Sequence, residues 1–270
     1  MAIIPQGYLE SVVSIGTRID ASKVSWYGTG FFVGRSSGKK DQVHPLLVTN
    51  KHVFEGMDKV VIRMRKKGSD DLHEIDVPLK YTDGRIRYYV HDNDKIDIAV
   101  LPLLAQFINV LGLDFPCFNI DNNAMSSNEL RDSGADAGSI IYMLGYPMGL
   151  VNSTSNQPIC RMGCIARMSE TQIREENNML VDIQNFPGNS GSPIVTRPER
   201  VSIIGTTSLS RCVLIGIIHS YLPYEEKLIN IQTKRVVEIR SENSGIANMH
   251  PVEYIREIID KICPRVENIN

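Results

Sequence analysis

The sequence predicts an all-β protein arranged in two halves and closed by one helix, and three observations carry that reading. Short runs rich in Val and Ile recur at close spacing along most of the chain, a texture of barrels or sandwiches. They fall into two sets, separated where Asn, Asp, Ser and Gly accumulate over residues 114–138. Behind Pro251, a residue suited to a first helical position, Val252, Ile255, Ile258, Ile259 and Ile262 return at helical spacing.

Taken in order, the first set of strand candidates is 11–15, 30–33, 46–48, 59–64, 75–79, 86–90 and 98–102. The second is 140–144, 161–168, 179–183, 194–195, 201–205, 213–218, 229–232 and 236–239. Residues 1–115 therefore form one expected β-domain, 116–137 a crossover, 138–250 a second β-domain, and 251–263 a helix whose apolar stripe faces the protein's own core. The charged stretch 221–243 reads as a solvated excursion with two strand-like runs.

A chain of 270 residues is long enough for two domains that each bury a core. Its 29 basic and 31 acidic residues are dispersed and leave a net charge of -2, so neither a nucleic-acid footprint nor a polybasic membrane arm is present. The densest basic run, Arg63-Met64-Arg65-Lys66-Lys67, reads as a solvated hairpin end. Residues 1–7 lack the basic and apolar regions of a secretory signal, and no apolar run approaches the roughly 18 residues that cross a bilayer. Five cysteines, Cys117, Cys160, Cys164, Cys212 and Cys263, are an odd number without a Cys-x-x-Cys pair, which fits free thiols in a reducing compartment. The expectation is a soluble cytoplasmic protein with no cofactor and no metal.

The stretch that carries chemistry is Phe186-Pro187-Gly188-Asn189-Ser190-Gly191-Ser192-Pro193. A serine flanked by glycines in a tight loop exposes its hydroxyl and neighbouring backbone N–H groups to one small space. Those are the parts of a nucleophile and an oxyanion site. The pattern Gly-x-Ser-Gly-x-Pro should arise by chance in roughly one chain of this length in two hundred, so partners are required before the loop means more than a turn.

A serine needs a base. Among His44, His52, His73, His91, His219 and His250, His52 stands just past the apolar run Leu47-Val48, where a side chain is held firmly beside a cleft. The others fall in polar loops or, for His219, near the end of another strand. An orienting carboxylate is supplied by Asp97, placed at the entrance to Ile98-Ala99-Val100-Leu101, where an unpaired charge is costly. Asp92 and Asp94 have only polar neighbours. The order His, Asp, Ser excludes the α/β-hydrolase order, and Gly188-x-Ser190-x-Ser192 fails the Gly-x-Ser-x-Gly elbow.

Thr29-Gly30-Phe31-Phe32-Val33, Val48-Thr49-Asn50-Lys51-His52-Val53, Asp97-Ile98-Ala99-Val100 and Pro187-Gly188-Asn189-Ser190-Gly191-Ser192-Pro193 resemble the landmark segments of chymotrypsin-fold, trypsin-like serine proteases. The resemblance is closest to the bacterial group that includes the HtrA proteases, here without a PDZ domain. Leu144-Gly145-Tyr146-Pro147, Leu214-Ile215-Gly216-Ile217 and Ser244-Gly245-Ile246 agree in order, so nearly the whole chain is covered.

The resemblance implies two packed six-stranded antiparallel β-barrels and a serine endopeptidase acting on protein or peptide substrates. It implies His52, Asp97 and Ser190 as the triad and an oxyanion hole at Gly188, Asn189 and Ser190. By the same analogy the substrate pocket would draw on Gln184, Ile218, His219, Ser220 and Ala247. His219 raises an acidic or Gln-type preference, as in glutamyl endopeptidases, but lies one place out of step with their motif. Asn189 stands where the digestive enzymes carry an aspartate, and a neutral amide cannot pair with a freed N-terminus. The alternative reading is a protease-fold binding module, regulated or inactive, that a protein partner switches.

Overall fold

A computed structural model describes residues 3–39, 42–199 and 209–264. After the short helix α1 (Gln6–Glu10), the first half contributes β1 (Val12–Arg18), β2 (Val24–Ser36), β3 (Val43–Thr49), β4 (Lys59–Arg65), β5 (Leu72–Pro78), β6 (Tyr89–Val90), β7 (Ala99–Pro102) and β8 (Phe118–Asn119). Between them lie the one-turn helix α2 (Lys51–Phe54) and α3 (Ala105–Val110). The strands form one eight-stranded sheet in the order β5-β4-β1-β2-β3-β7-β6, with β8 pairing in parallel beside β2.

The second half contributes α4 (Ser127–Asp132), β9 (Ile140–Gly145), β10 (Ile159–Arg167), α5 (Glu170–Glu176), β11 (Met179–Asp182), β12 (Pro193–Thr196), β13 (Leu214–Ile229), β14 (Val236–Pro251) and α6 (Val252–Ile262). Its strands close into a six-stranded antiparallel barrel, β10-β11-β14-β13-β12-β9. The closed barrel is one of the two six-stranded barrels that the sequence predicts, and the other half is built as the eight-stranded sheet. In the first half, β6 keeps only two residues of the expected 86–90 run, and the chain leaving β5 meets that run through a single bridge between Lys80 and Ile86, with Arg87 N–H donating to Leu79 O at 2.9 Å. Leu79, Ile108 of α3 and Leu113 pack among the apolar side chains on the sheet's inner face.

Alternation explains why so many strands read as unbroken apolar runs. On β2, Phe32 points into the first sheet's own core while Phe31 and Val33 point to the opposite face. On β3, Leu47 goes inward and Leu46 and Val48 outward; on β9, Ile141 and Met143 fill the barrel while Tyr142 and Leu144 face out. The outward sets meet each other and Val252, Ile255, Ile258 and Ile259 of α6 in a third shared core. Both faces of these strands are buried, so no polar alternation survives in the sequence.

The connection is not bare crossover: it carries β8, which joins the first sheet, and α4, started by a capping box between Ser126 and Glu129. The α6 helix begins at Val252, with Pro251 closing β14 and occupying the cap. Arg63 corrects the solvated-hairpin reading of its run. It is buried, and its guanidinium donates to the Asn152 and Ser153 carbonyls at 2.7 and 2.9 Å, tying β4 to the loop after β9. Residues 221–243 form a long exposed ribbon of β13 and β14. The expected strand at 201–205 lies outside the described residues. No helix among the described residues is long and apolar enough to cross a membrane.

Candidate active site

β3 ends at Thr49, and α2 starts at once, so a rigid strand delivers His52 to the sheet's edge. Asp97 sits two residues before β7, the next strand in the sheet. The two side chains meet: His52 Nδ1 lies 2.5 Å from Asp97 Oδ2, and the His52 backbone N–H donates to Oδ1 at 3.0 Å. A carboxylate only accepts, so Nδ1 carries a proton, and in the neutral ring the lone pair lies on Nε2. Burial pushes the Asp97 carboxyl up, but the hydrogen bonds and charge of His52 outweigh it and hold the group below the usual carboxylate range. Asn50 Nδ2 holds the Asp97 carbonyl at 2.7 Å.

The Ser190 loop runs between β11 and β12 of the barrel. Gly188 and Gly191 take φ of 95° and 88°, values that favour glycine, and a Cβ on Gly191 would collide with the Thr29 carbonyl and Thr49 Oγ1. Asn189 N–H donates to Phe186 O at 3.0 Å and Ser192 N–H to Asn189 O at 2.8 Å. Among the described residues neither Gly188 N–H nor Ser190 N–H has a hydrogen-bond acceptor. Of the three residues expected at the oxyanion hole, Asn189 therefore has its N–H engaged in the turn, and Gly188 and Ser190 have theirs available. Asn189 is 1% exposed, and its Nδ2 has no hydrogen-bond partner among the described residues.

Ser190 and His52 lie on opposite sides of the junction, and no hydrogen bond joins them among the described residues. What fixes the loop to the first sheet is Thr29, fully buried on β2. Its N–H donates to Ser190 O (2.9 Å), its Oγ1 donates to Gly188 O (2.7 Å) and accepts from Tyr146 N–H (3.0 Å), and its carbonyl accepts from Thr49 Oγ1 (2.7 Å). The sequence marks Thr29 only as part of a motif, and its anchoring role comes from these four bonds.

The expected substrate pocket is only partly assembled. Ile218 and Ala247 are fully buried in the barrel core, Gln184 is exposed, and Ser220 accepts from Asn248 Nδ2 at 3.1 Å. Arg161 supports the loop from behind, donating to Gln184 O at 3.3 Å with its guanidinium 4.8 Å above the Phe186 ring. His219 is a bulge residue: Ile218 faces Met249 and Ser220 faces Asn248, so His219 has no partner position.

The His219 ring stacks on His250 at 3.9 Å and 9°, and its Nε2 lies 2.8 Å from Asn178 Oδ1. Burial, then the nearby His250, push its pKa down to about 3. A neutral, engaged imidazole offers no positive charge to an acidic substrate. His250, expected in a polar loop, is fully buried at the end of β14. Among the described residues no three His, Cys, Asp or Glu side chains gather as a metal site.

A curled sheet packed against a closed barrel, with the His52–Asp97 pair and the Ser190 loop at their junction, defines a protein of the chymotrypsin fold. The chain belongs to the trypsin-like peptidase domain family, which matches residues 28–205. It is 23% identical over 195 residues to a Synechocystis sp. protein named serine protease HhoA, across 72% of this chain and 40% of that protein. The chain thus matches less than half the length of that relative. The Vibrio cholerae VesB protease shares the fold with a TM-score of 0.51 at 13% identity, over 97% of this chain and 66% of that one. The apo MamO protease domain from Magnetospirillum magneticum gives a TM-score of 0.49 at 12% identity, over 93% and 97%.

Proposed function

We propose that the chain is a serine endopeptidase in which Ser190 is the nucleophile, His52 the general base and acid, and Asp97 the orienting carboxylate. The observation that carries this is the doubly bonded His52–Asp97 pair, which turns Nδ1 to the carboxylate and, in the neutral ring, keeps the lone pair on Nε2. Ser190 Oγ bonds to the substrate carbonyl carbon as its proton passes to His52 Nε2. The resulting oxyanion accepts hydrogen bonds from Gly188 and Ser190 N–H, removal of one such donor typically costing about a hundredfold or more in rate. Collapse breaks the C–N bond, and the departing amine takes the proton from His52. Water then cleaves the acyl-enzyme by the same path, His52 acting again as base and acid.

Labelling with a fluorophosphonate is the test. The native chain is expected to label, and Ser190→Ala and His52→Ala to abolish it; labelling that persists in Ser190→Ala assigns the wrong nucleophile. A second reading, a protease-fold module switched by a partner protein, is favoured by the missing Ser190–His52 hydrogen bond and by the unpartnered Asn189 Nδ2 behind the loop. A native chain that stays unlabelled until a protein partner is added supports that reading.

A further inference from the structure

Asp97 is held at four points. Three come from the first half of the chain: His52 Nδ1, His52 N–H and Asn50 Nδ2. The fourth comes from the barrel, where His250 Nε2 lies 3.0 Å from the Asp97 backbone nitrogen. On its other side, His250 Nδ1 lies 2.8 Å from the Asn177 carbonyl. A carbonyl only accepts and a backbone N–H only donates, so the proton resides on Nδ1 and Nε2 is bare. These two bonds require one neutral tautomer of a fully buried ring.

The surroundings hold that ring in place. His219 stacks on one face, and Tyr254 approaches edge-on at 6.2 Å and 84°. Asn177 is itself locked, taking φ of 60° where α5 ends, with its Oδ1 accepting from Asn93 Nδ2 at 3.3 Å on the loop that leads to Asp97. The titratable groups facing the ring are His219, Asp97 and Tyr254, with His91 beyond Tyr254 paired to Glu257 at 2.7 Å. Burial pushes the His250 pKa down, against the raising effect of the Asn177 bond and of Asp97.

We propose that His250 is a positioning residue for Asp97, its bare Nε2 accepting the Asp97 backbone N–H across the junction and so setting the angle at which the carboxylate meets His52. A protonated His250 would turn a second donor on that N–H, breaking the link. The inference rests on the serine-protease reading for its consequence in rate, but its geometric content stands on the Asp97–His52 pair alone.

Two substitutions separate the acceptor from the ring. His250→Gln can return an oxygen near Nε2, whereas His250→Asn can keep a donor near Asn177 and offers nothing to Asp97. Each folded variant is compared with the native chain in the rate of fluorophosphonate labelling at saturating reagent, the reagent's half-saturating concentration, and the low-field proton resonance of His52 Nδ1–H. Expected is a loss of tenfold or more at saturation in His250→Asn, an unchanged half-saturating concentration, a displaced resonance, and substantial recovery of rate and resonance in His250→Gln.

Equal behaviour of the two variants, or a native resonance in folded His250→Asn, overturns the proposal. A native chain that does not label while His250→Asn still displaces the resonance removes the protease reading and leaves the positioning role standing.

Discussion

Thr29 and Ser190 are joined by a backbone hydrogen bond of 2.9 Å, from the buried middle of β2 to the 188–192 loop of the other half. The same threonine's hydroxyl serves Gly188 O and Tyr146 N–H together. Thr29→Val nearly conserves volume and leaves both groups unpaired in a buried place. It is expected to lower stability by about 1–3 kcal/mol and to slow fluorophosphonate labelling of the folded protein by loosening Gly188. Unchanged denaturant midpoint and rate would show that the loop holds itself.

Gly191→Ala should cost more than backbone strain alone. A left-handed φ costs an L-residue about 1–2 kcal/mol, and the new Cβ would also press on Thr29 O and Thr49 Oγ1, adding about 1–3 kcal/mol of overpacking. Gly138 is the control, with φ of 89° and nothing within 4 Å of the place a methyl group would occupy. Urea melts should therefore place Gly191→Ala clearly below Gly138→Ala, and equal midpoints would contradict the clash.

Stability should fall as pH drops below neutrality. His219 and His250 stay neutral in the folded protein at pH values where the unfolded chain takes up protons, since burial lowers both pKa values, His219 to about 3. Their contribution is complete above about 6.5 and is lost as pH falls below it, for His219 down to about 3, with a slope of up to about 1.4 kcal/mol per pH unit for each histidine. The depressed Asp97 acts in the same direction, its contribution present above the ordinary carboxylate range and lost as pH falls through its lower folded value. His219→Phe keeps an aromatic ring against His250 and removes one titrating group. Denaturant midpoints between pH 7 and pH 5 should fall less steeply in that variant.

Arg35 on β2 is 1% exposed and bonds to Asp260 of α6 at 2.6 Å and to Asp121 at 3.3 Å. Removing one partner of a buried ion pair costs about 3–5 kcal/mol. Because Asp260 is half exposed here, Arg35→Met should cost less, about 1–3 kcal/mol. None of the contacts of Arg35 reaches His52, Asp97 or the Ser190 loop, so thermal unfolding should shift while labelling per folded molecule does not.

The strands and the terminal helix were legible because Val/Ile runs and a 3.6-residue stripe report burial directly. The eight-stranded first sheet was not, since the apolar run at 86–90 divides between a single bridge at Ile86 and the two-residue strand β6. His52 and Asp97 could be singled out because each adjoins an apolar strand. His250 could not: its polar neighbours Asn248 and the turn-like Ser244-Gly245 mask a residue that pairing with β11 and β13 buries. Arg63 misled for the converse reason, since charge density says nothing about which carbonyls a folded loop brings within reach. The proposed oxyanion donors fell between these cases, because Gly-Asn-Ser marks the loop but only the turn to Phe186 O distinguishes Asn189 from its neighbours.

The bulge at His219 divides β13 into two stretches with different tolerance for change in length. A residue added before Ser220 would invert the strand's facing and carry His219 off His250, reaching Asp97 through a single step. Beyond Pro223 the strand pairs with β14 alone, and another irregularity between Leu228 and Ile229 absorbs an offset. Insertions and deletions near that tip would change the length of the exposed ribbon and leave the barrel's register intact.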